Sequence, residues 1–270
     1  MMPLCTIRSP RAFAAVLVAL TIAVGTASGC ATRPDPQTQP EEYADYVETN
    51  DPLEPFNRAV FQFNEALDAL LLTPLAILYR DVFPPIVQEH THNVLVNLSE
   101  PVVAANSLLQ GKPRQAGSTF ARFAFNSTAG VGGLFDVADG MGLPREEADF
   151  GQTLAVWGTP SGPYLVLPVL GPSNPRDAVG TGVDSVLLDP FGLLNTIILD
   201  DSDALEILGY TRAGLTAVDT RARTLEATDE LRRTSLDYYA AIRSAFRQNR
   251  EQTIRSGLPP EPTGAPGVGP

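Results

Sequence analysis

The chain has 270 residues, of which 44% are hydrophobic and only 19% charged, and its formal net charge is −12. That balance leaves a sizeable apolar surface to bury or to give to lipid. It excludes nucleic acid, whose phosphates repel so acidic a chain, and 24 Pro and 22 Gly argue for short helices joined by rigid turns.

Residues 1–29 have the layout of a secretory signal peptide: Arg8 and Arg11, an apolar run over 12–24, then small residues. The run ends in "ASGC", which has the form of a lipobox, with cleavage before Cys30 and diacylation of its thiol. Ala27 stands where a larger aliphatic residue is usual. Ala31, rather than Asp, follows the cysteine, as in lipoproteins sent on to the outer membrane of a Gram-negative envelope. Cys5 leaves with the signal and Cys30 carries lipid, so no disulfide is expected. Two acyl chains suffice for stable anchoring. Losing Arg8 and Arg11 moves the charge from −12 to −14, so membrane contact must come from acyl chains and apolar burial.

Residues 30–49 are polar, acidic and Pro-rich, a flexible tether. The folded domain is expected over 50–250, with Asn50 or Asp51 capping its first helix. Over 56–72, Phe56, Ala59, Val60, Phe63, Ala66, Leu67, Leu70 and Leu71 share one helical face, with Phe61 the exception on the polar side. Beyond Thr73 the apolar residues wrap all round, and Pro74 is expected to break the segment. A second oily stretch, 183–199, is interrupted at Asp189-Pro190. Neither offers the ~20 uninterrupted apolar residues of a membrane span. "PYLVLP" (163–168) is the best strand candidate. Leu205, Leu208, Leu215, Val218, Ala222 and Leu225 mark a long helix. Ser235 is placed to cap a last one, with Tyr239, Ile242 and Phe246 on one side and Arg243, Arg247 and Arg250 on the others, a water-facing pair. Residues 251–270 read as a disordered Pro/Gly-rich tail.

Chemical motifs are sparse. His90 and His92 lie two apart and face different sides of a helix, without Cys or HExxH nearby, so no metal is expected. No G-x-S-x-G elbow supports a lipase. "GVGG" (130–133) lacks a preceding strand and a following Lys, so these glycines read as turn or close-packing positions. No enzyme activity and no cofactor are expected. The informative constellation is Arg122, Asn126, Asp136, Asp149, Gln152 and Arg176 set in apolar, loop-rich text. It reads either as a buried polar network or as the lining of a passage with polar and oily sides. "WGTPSGP" (157–163) reads as a mobile gate or a tight turn.

Four stretches, "DPLEPFNRAVFQFNEALD", "NLSEPVVAANSLLQGKPRQAGSTFARFAFNSTAGVGGLFDVA", "FGQTLAVWG" and "GPYLVLPVLGPSNPRD", resemble the MlaA (VacJ) family of outer-membrane phospholipid-transport lipoproteins. The resemblance covers roughly 50–250. Pro55 and Pro160 stand where family members often have Gly, and Pro160 stiffens the gate segment. The resemblance implies an all-α, ring-like helical body with short amphipathic membrane-lying helices and Gly/Pro-rich loops. It implies a position in the periplasmic leaflet of the outer membrane and a central amphipathic channel open to the outer leaflet. Similar proteins sit beside trimeric porins and hand mislocalised phospholipid to a soluble periplasmic carrier. On this reading residues 56–78 and 183–199 lie in the membrane, and the passage runs within 120–176. Phe61, Asn64, Arg122, Asn126 and Trp157 contact lipid or line the path. A structural lipoprotein that scaffolds a porin or the cell wall is the alternative.

Overall fold

The computed structural model describes residues 51–189 and 203–257, together with 37–38. Helices dominate, as the 3.6-residue periodicity predicts. Helix α1 spans Glu54–Leu67, with Pro55 in its first turn, where a missing N–H costs nothing. A π-helical turn, Asp68–Leu72, leads into α2, Thr73–Val82. The break expected at Pro74 does not occur. The Thr73 N–H reaches Asp68 O, and this widened turn takes up the proline ring that would otherwise collide with the preceding turn. The result is one continuous helical stretch, Glu54–Val82, of 29 residues. By length and composition alone it would pass for a membrane span, which corrects the sequence expectation.

Helix α3 (Pro85–Leu109) and α4 (Pro113–Thr128) form a tight helical hairpin. Its turn is made by Gly111 at φ 75°, a left-handed position that suits glycine. Three short helices follow, each with a side-chain N-cap. In α5 (Val137–Gly140) Asp136 accepts from Asp139 N; in α6 (Phe150–Val156) Asp149 accepts from Gln152 N; in α7 (Pro175–Val183) Asn174 accepts from Asp177 N. Between α6 and α7 the predicted strand forms: β1, Leu165–Leu167, pairs antiparallel with β2, Gly171–Ser173, with Val166 opposite Pro172. A second π-helical turn, Asp184–Leu188, follows α7. The expected oily stretch 183–199 therefore falls largely outside the described residues, as does Cys30.

The C-terminal pair is α8 (Asp203–Thr234) and α9 (Tyr238–Gly257). Helix α9 runs past residue 250, so 251–257 belong to the helical body and not to a tail. Of the expected caps Asn50 lies outside the described residues, and the side chains of Asp51 and Ser235 do not cap. Asp237, not Ser235, receives the Ala240 N–H at 3.2 Å at the start of α9, while the Ser235 hydroxyl donates back to Leu231 O of α8. Asp51 is buried: Asn57 donates to it at 2.7 Å, Arg243 at 2.8 Å, and the Tyr239 hydroxyl also donates. An acid that gains partners from the far end of the chain serves the interior better than a frayed helix start.

Packing contacts close on themselves. Helix α1 packs on β1, β2 on α9, α9 on α6, α6 on α3, α3 on α8, and α8 on α2, which returns through the π-turn to α1. The aromatic cluster that ties the ends of this circuit is Phe56, Val60, Tyr164, Val166 and Tyr239, with Phe61, Leu165 and Phe246 beside it.

Candidate functional site

The distribution of polarity is inverted relative to an ordinary globule. Among the described residues, the largest fully buried side chains are Arg122, Glu100, Val166, Asn57, Asn106, Thr119, Thr153 and Ser107, of which only Val166 is apolar. Conversely, Leu70 is 81% exposed, and Leu78, Val82, Ile86, Leu108, Phe120, Trp157, Leu170 and Val179 are all exposed. Exposed apolar side chains in this number are the kind of surface that a lipid or protein partner covers.

Buried polar groups stay in place because they are bonded to one another. Arg122 on α4 donates to Glu100 Oε1 of α3 at 3.1 Å, to Asp136 Oδ2 at 2.7 Å and to Leu143 O at 2.6 Å. Asn126, one turn on, donates to Asp136 Oδ1 at 3.0 Å and accepts from Ala138 N at 3.0 Å. Together they fasten the 129–143 loop over the α3–α4 hairpin. Burial pushes Asp136 up, but Arg122 and Asn126 outweigh it and hold the carboxyl below its ordinary range. At Glu100 burial wins over Arg122, and the carboxyl is raised.

A second charged node lies where α6, α7 and α9 meet. Arg250 of α9 forks onto Asp149 at 2.6 and 2.8 Å and onto Asp177 with two contacts of 2.8 Å. Burial opposes the charge of Asp149, and Arg250 and Gln152 more than offset it, so this carboxyl is also held low. The approach of α6 and α7 depends on two glycines: a Cβ on Gly180 would meet Gly151 N at 2.4 Å. A third contact is made by side-chain amides of α1. Asn57 donates to Tyr164 O and accepts from Val166 N, and Asn64, two turns on, donates to Leu167 O and accepts from Val169 N. The amides thus pair with β1 as a third strand would. They hold Val169 at φ 68°, a strained conformation for a β-branched residue, at an exposed apolar hairpin tip.

The residues singled out from sequence fall into three environments. Arg122 and Asn126 are buried in the α3–α4 network, 1% and 4% exposed. Phe61 stacks on Tyr238 and Tyr239, with centroids 5.6 and 5.4 Å away, and Asn64 holds the hairpin. Only Trp157 combines a polar anchor with an open face: its indole N–H donates to Leu109 O at 3.1 Å, its ring meets Phe150 edge-on, and it is 56% exposed. Asp136, Asp149, Gln152 and Arg176 all enter buried polar contacts. Gly130 and Gly133 are close-packing positions, with Phe135 O and Asn97 at less than contact distance from a Cβ. The histidines face apart on α3: His92 Nδ1 meets Asp219 at 2.8 Å, and His90 stacks on Phe135.

Sequence reasoning passed over Glu100, Asp177 and the true role of the C-terminal arginines. Arg243 and Arg250 are not water-facing; they reach Asp51 and the Asp149–Asp177 pair. Their spacing of seven on one helix was the available signal, since i and i+7 share a face.

A model of the MlaA lipoprotein family matches residues 49–253. The chain belongs to the MlaA lipoprotein family. It is 35% identical over 213 residues to the intermembrane phospholipid transport system lipoprotein MlaA of Escherichia coli, covering 77% of this chain and 80% of that one. The Haemophilus influenzae protein of the same name is 32% identical over 245 residues, 90% and 91% of the two chains. A protein of Rickettsia felis is 38% identical over 209 residues, 77% and 80%. A solved structure, from work on the structural basis for maintenance of bacterial outer membrane lipid asymmetry, superimposes with a TM-score of 0.63 at 34% identity. That match covers 76% of this chain and 98% of the other. The described residues are helical apart from two short strands.

Proposed function

We propose that this MlaA-family chain is an outer-membrane lipoprotein, anchored through Cys30, that takes mislocalised phospholipid from the outer leaflet through an amphipathic passage. It passes the lipid to a soluble periplasmic carrier and so maintains lipid asymmetry. The observation that carries the reading is the inverted polarity: charged and amide side chains buried in the body while many large apolar side chains are exposed. A lipid headgroup cannot cross hydrocarbon unpaired; polar groups held in the body replace its lost hydration while the tails stay in oil. Moving the tails into water costs ~0.8 kcal/mol per CH₂, which a carrier with an apolar pocket avoids. Catalysis is not required of the chain.

These exposed side chains fit a body lying in one leaflet. Although Glu54–Val82 is long enough to span, its first half is docked: Phe56, Asn57 and Val60 are buried, and Asp68 at its end is clamped by Arg221 at 2.7 and 2.9 Å. What remains for lipid is at most one face of the π-turn of 5 residues and of α2 of 10, whose Ala76 and Tyr79 are buried. At ~1.5 Å per residue these reach about 22 Å, short of the ~30 Å hydrocarbon core. A trimeric porin is the expected neighbour of the body, and the periplasmic leaflet its level.

A reconstituted assay tests the proposal. The acylated protein in vesicles, with a labelled phospholipid and a periplasmic carrier, is expected to transfer lipid, and deleting the gene to raise outer-leaflet phospholipid. Porin binding without bound or transferred lipid would instead make the chain a structural lipoprotein. Full rescue of asymmetry by Cys30→Ala at normal expression would remove the anchor from the proposal.

A further inference from the structure

A cavity of about 280 Å³ opens between α3, the 145–149 segment, and the last turns of α9. At ~30 Å³ per water it holds several waters or one small headgroup. Helix α3 supplies Val96, Ser99, Glu100 and Val103, which share one face by their spacing. A second cavity, of about 360 Å³, shares Glu146, Glu147, Asn249 and Thr253 with the first, so the two form one cleft.

Glu100 is 2% exposed, and its Oε2 has no hydrogen-bond partner among the described residues. Its other oxygen is held by Arg122. A half-satisfied carboxylate is costly unless something completes it, and because Glu100 lines the cavity a small turn of its side chain would present that oxygen to a ligand there. Glu147, exposed at the rim, makes no ion pair among the described residues. Arg145, also lining the cavity, makes one hydrogen bond among the described residues, with His92 Nε2 at 3.3 Å, acts by its charge on Glu100, and has further donors. The cleft therefore sets the carboxylates of Glu100 and Glu147 in one lining with the guanidinium of Arg145, with Arg250 and Lys112 also on its walls.

We infer that this cleft binds a primary ammonium group, presented by an ethanolamine phospholipid whose phosphate meets Arg145. The inference rests on the lipid-transport reading above and names its headgroup class. A primary ammonium brings three N–H donors to Glu100 Oε2 and Glu147, and such charge-assisted bonds are about twice as strong as neutral ones. A quaternary ammonium has no N–H and calls for an aromatic cage, and no aromatic side chain lines either cavity. Among the described residues no group of three or more His, Cys, Asp or Glu side chains is arranged to hold a metal ion, which favours an organic cation. An anionic glycerol headgroup brings only hydroxyls to the same acids.

The test uses the mature acylated protein, equilibrated with vesicles of equal phosphatidylethanolamine and phosphatidylglycerol, repurified and assayed for bound lipid by mass spectrometry. The wild type is expected to enrich the ethanolamine lipid roughly three- to tenfold, the range of one net hydrogen bond. Glu100→Gln and the rim variant Glu147→Gln, whose exposure spares the fold, are each expected to move the ratio toward parity. Free ethanolamine phosphate at millimolar concentration should erode the enrichment in the wild type and not in the variants. Bound lipid at parity in the wild type overturns the headgroup site and leaves the transport reading standing. No bound lipid overturns both. Loss of enrichment with Mg²⁺ but not with ethanolamine phosphate would assign the cleft to a divalent cation instead.

Discussion

Two arginines organise the charged interior, and they do so differently. Arg250 is fully engaged: four contacts of 2.6–2.8 Å reach two aspartates that also cap or border α6 and α7. Arg122 is more deeply buried, at 1%, yet one of its acids, Glu100, keeps an oxygen without a partner among the described residues. The first node is a bolt between helices; the second is buried but incomplete. A fold that completes one ion cluster and leaves another open has put stability in one place and a receptive group in the other.

The largest effect should come from Arg122→Ala. It would leave Glu100 buried and Asp136 half-buried without their cation, a change of about 3–5 kcal/mol for broken buried pairs. Denaturant melts of the purified protein in detergent would read this as a large drop in midpoint. Arg250→Ala should cost less, about 2–3 kcal/mol, because Asp149 reaches the surface and water can replace part of what is lost. If Arg250→Ala proved the more damaging, the ranking of the two nodes would be reversed.

Stability as a function of pH should separate the nodes by sign. Asp149 and Asp136 are held low by their arginines. Their contribution is present above the unfolded value, about 3.9, and is lost as pH falls through the folded one. Glu100 is raised by burial. The folded protein binds that proton more readily, so stability falls as pH rises from about 4.3 through the folded value. Glu100→Gln removes only this second dependence. The variant's advantage over wild type should grow as pH rises above about 4.3 and level off once the folded value is passed, while both lose stability together as the aspartates protonate. A difference that stays flat across that range would mean Glu100 is already satisfied.

How much of this was readable from sequence depended on how local each interaction is. The helices of 56–72 and of the C-terminal pair, the strand within "PYLVLP" and the role of the glycines in "GVGG" follow from periodicity and turn chemistry alone. The break at Pro74 was misread because a π-turn, invisible to periodicity, absorbs the ring. Asp51 and Ser235 looked like caps because capping is local, whereas Asp51 meets Tyr239 across 188 positions. Arg122 and Asn126 stand out in the sequence as polar intrusions in apolar text, but Glu100, the partner that leaves the cluster incomplete, sits 22 residues away in a helix of ordinary composition. Nothing local marks an unpaired oxygen.

The smallest expected effect is the sharpest comparison. Asp177→Asn replaces a carboxylate that accepts from Arg250 twice, from Arg176 at 3.2 Å and from Asn174 at 2.7 Å. An amide there turns an N–H₂ against a guanidinium, and the loss of charged hydrogen bonds should cost about 1.5–3 kcal/mol. Glu100→Gln makes the same chemical change at a more buried position, so burial alone predicts a larger penalty. The geometry predicts the opposite. The amide oxygen can keep the Arg122 contact, Asp136 still neutralises Arg122, and the desolvated, unpartnered charge is gone. Stability at neutral pH should therefore change by less than about 1 kcal/mol, or rise. Equal costs for the two substitutions, measured in the same detergent melts, would show that Glu100 is a second bolt and that its free oxygen carries no functional meaning.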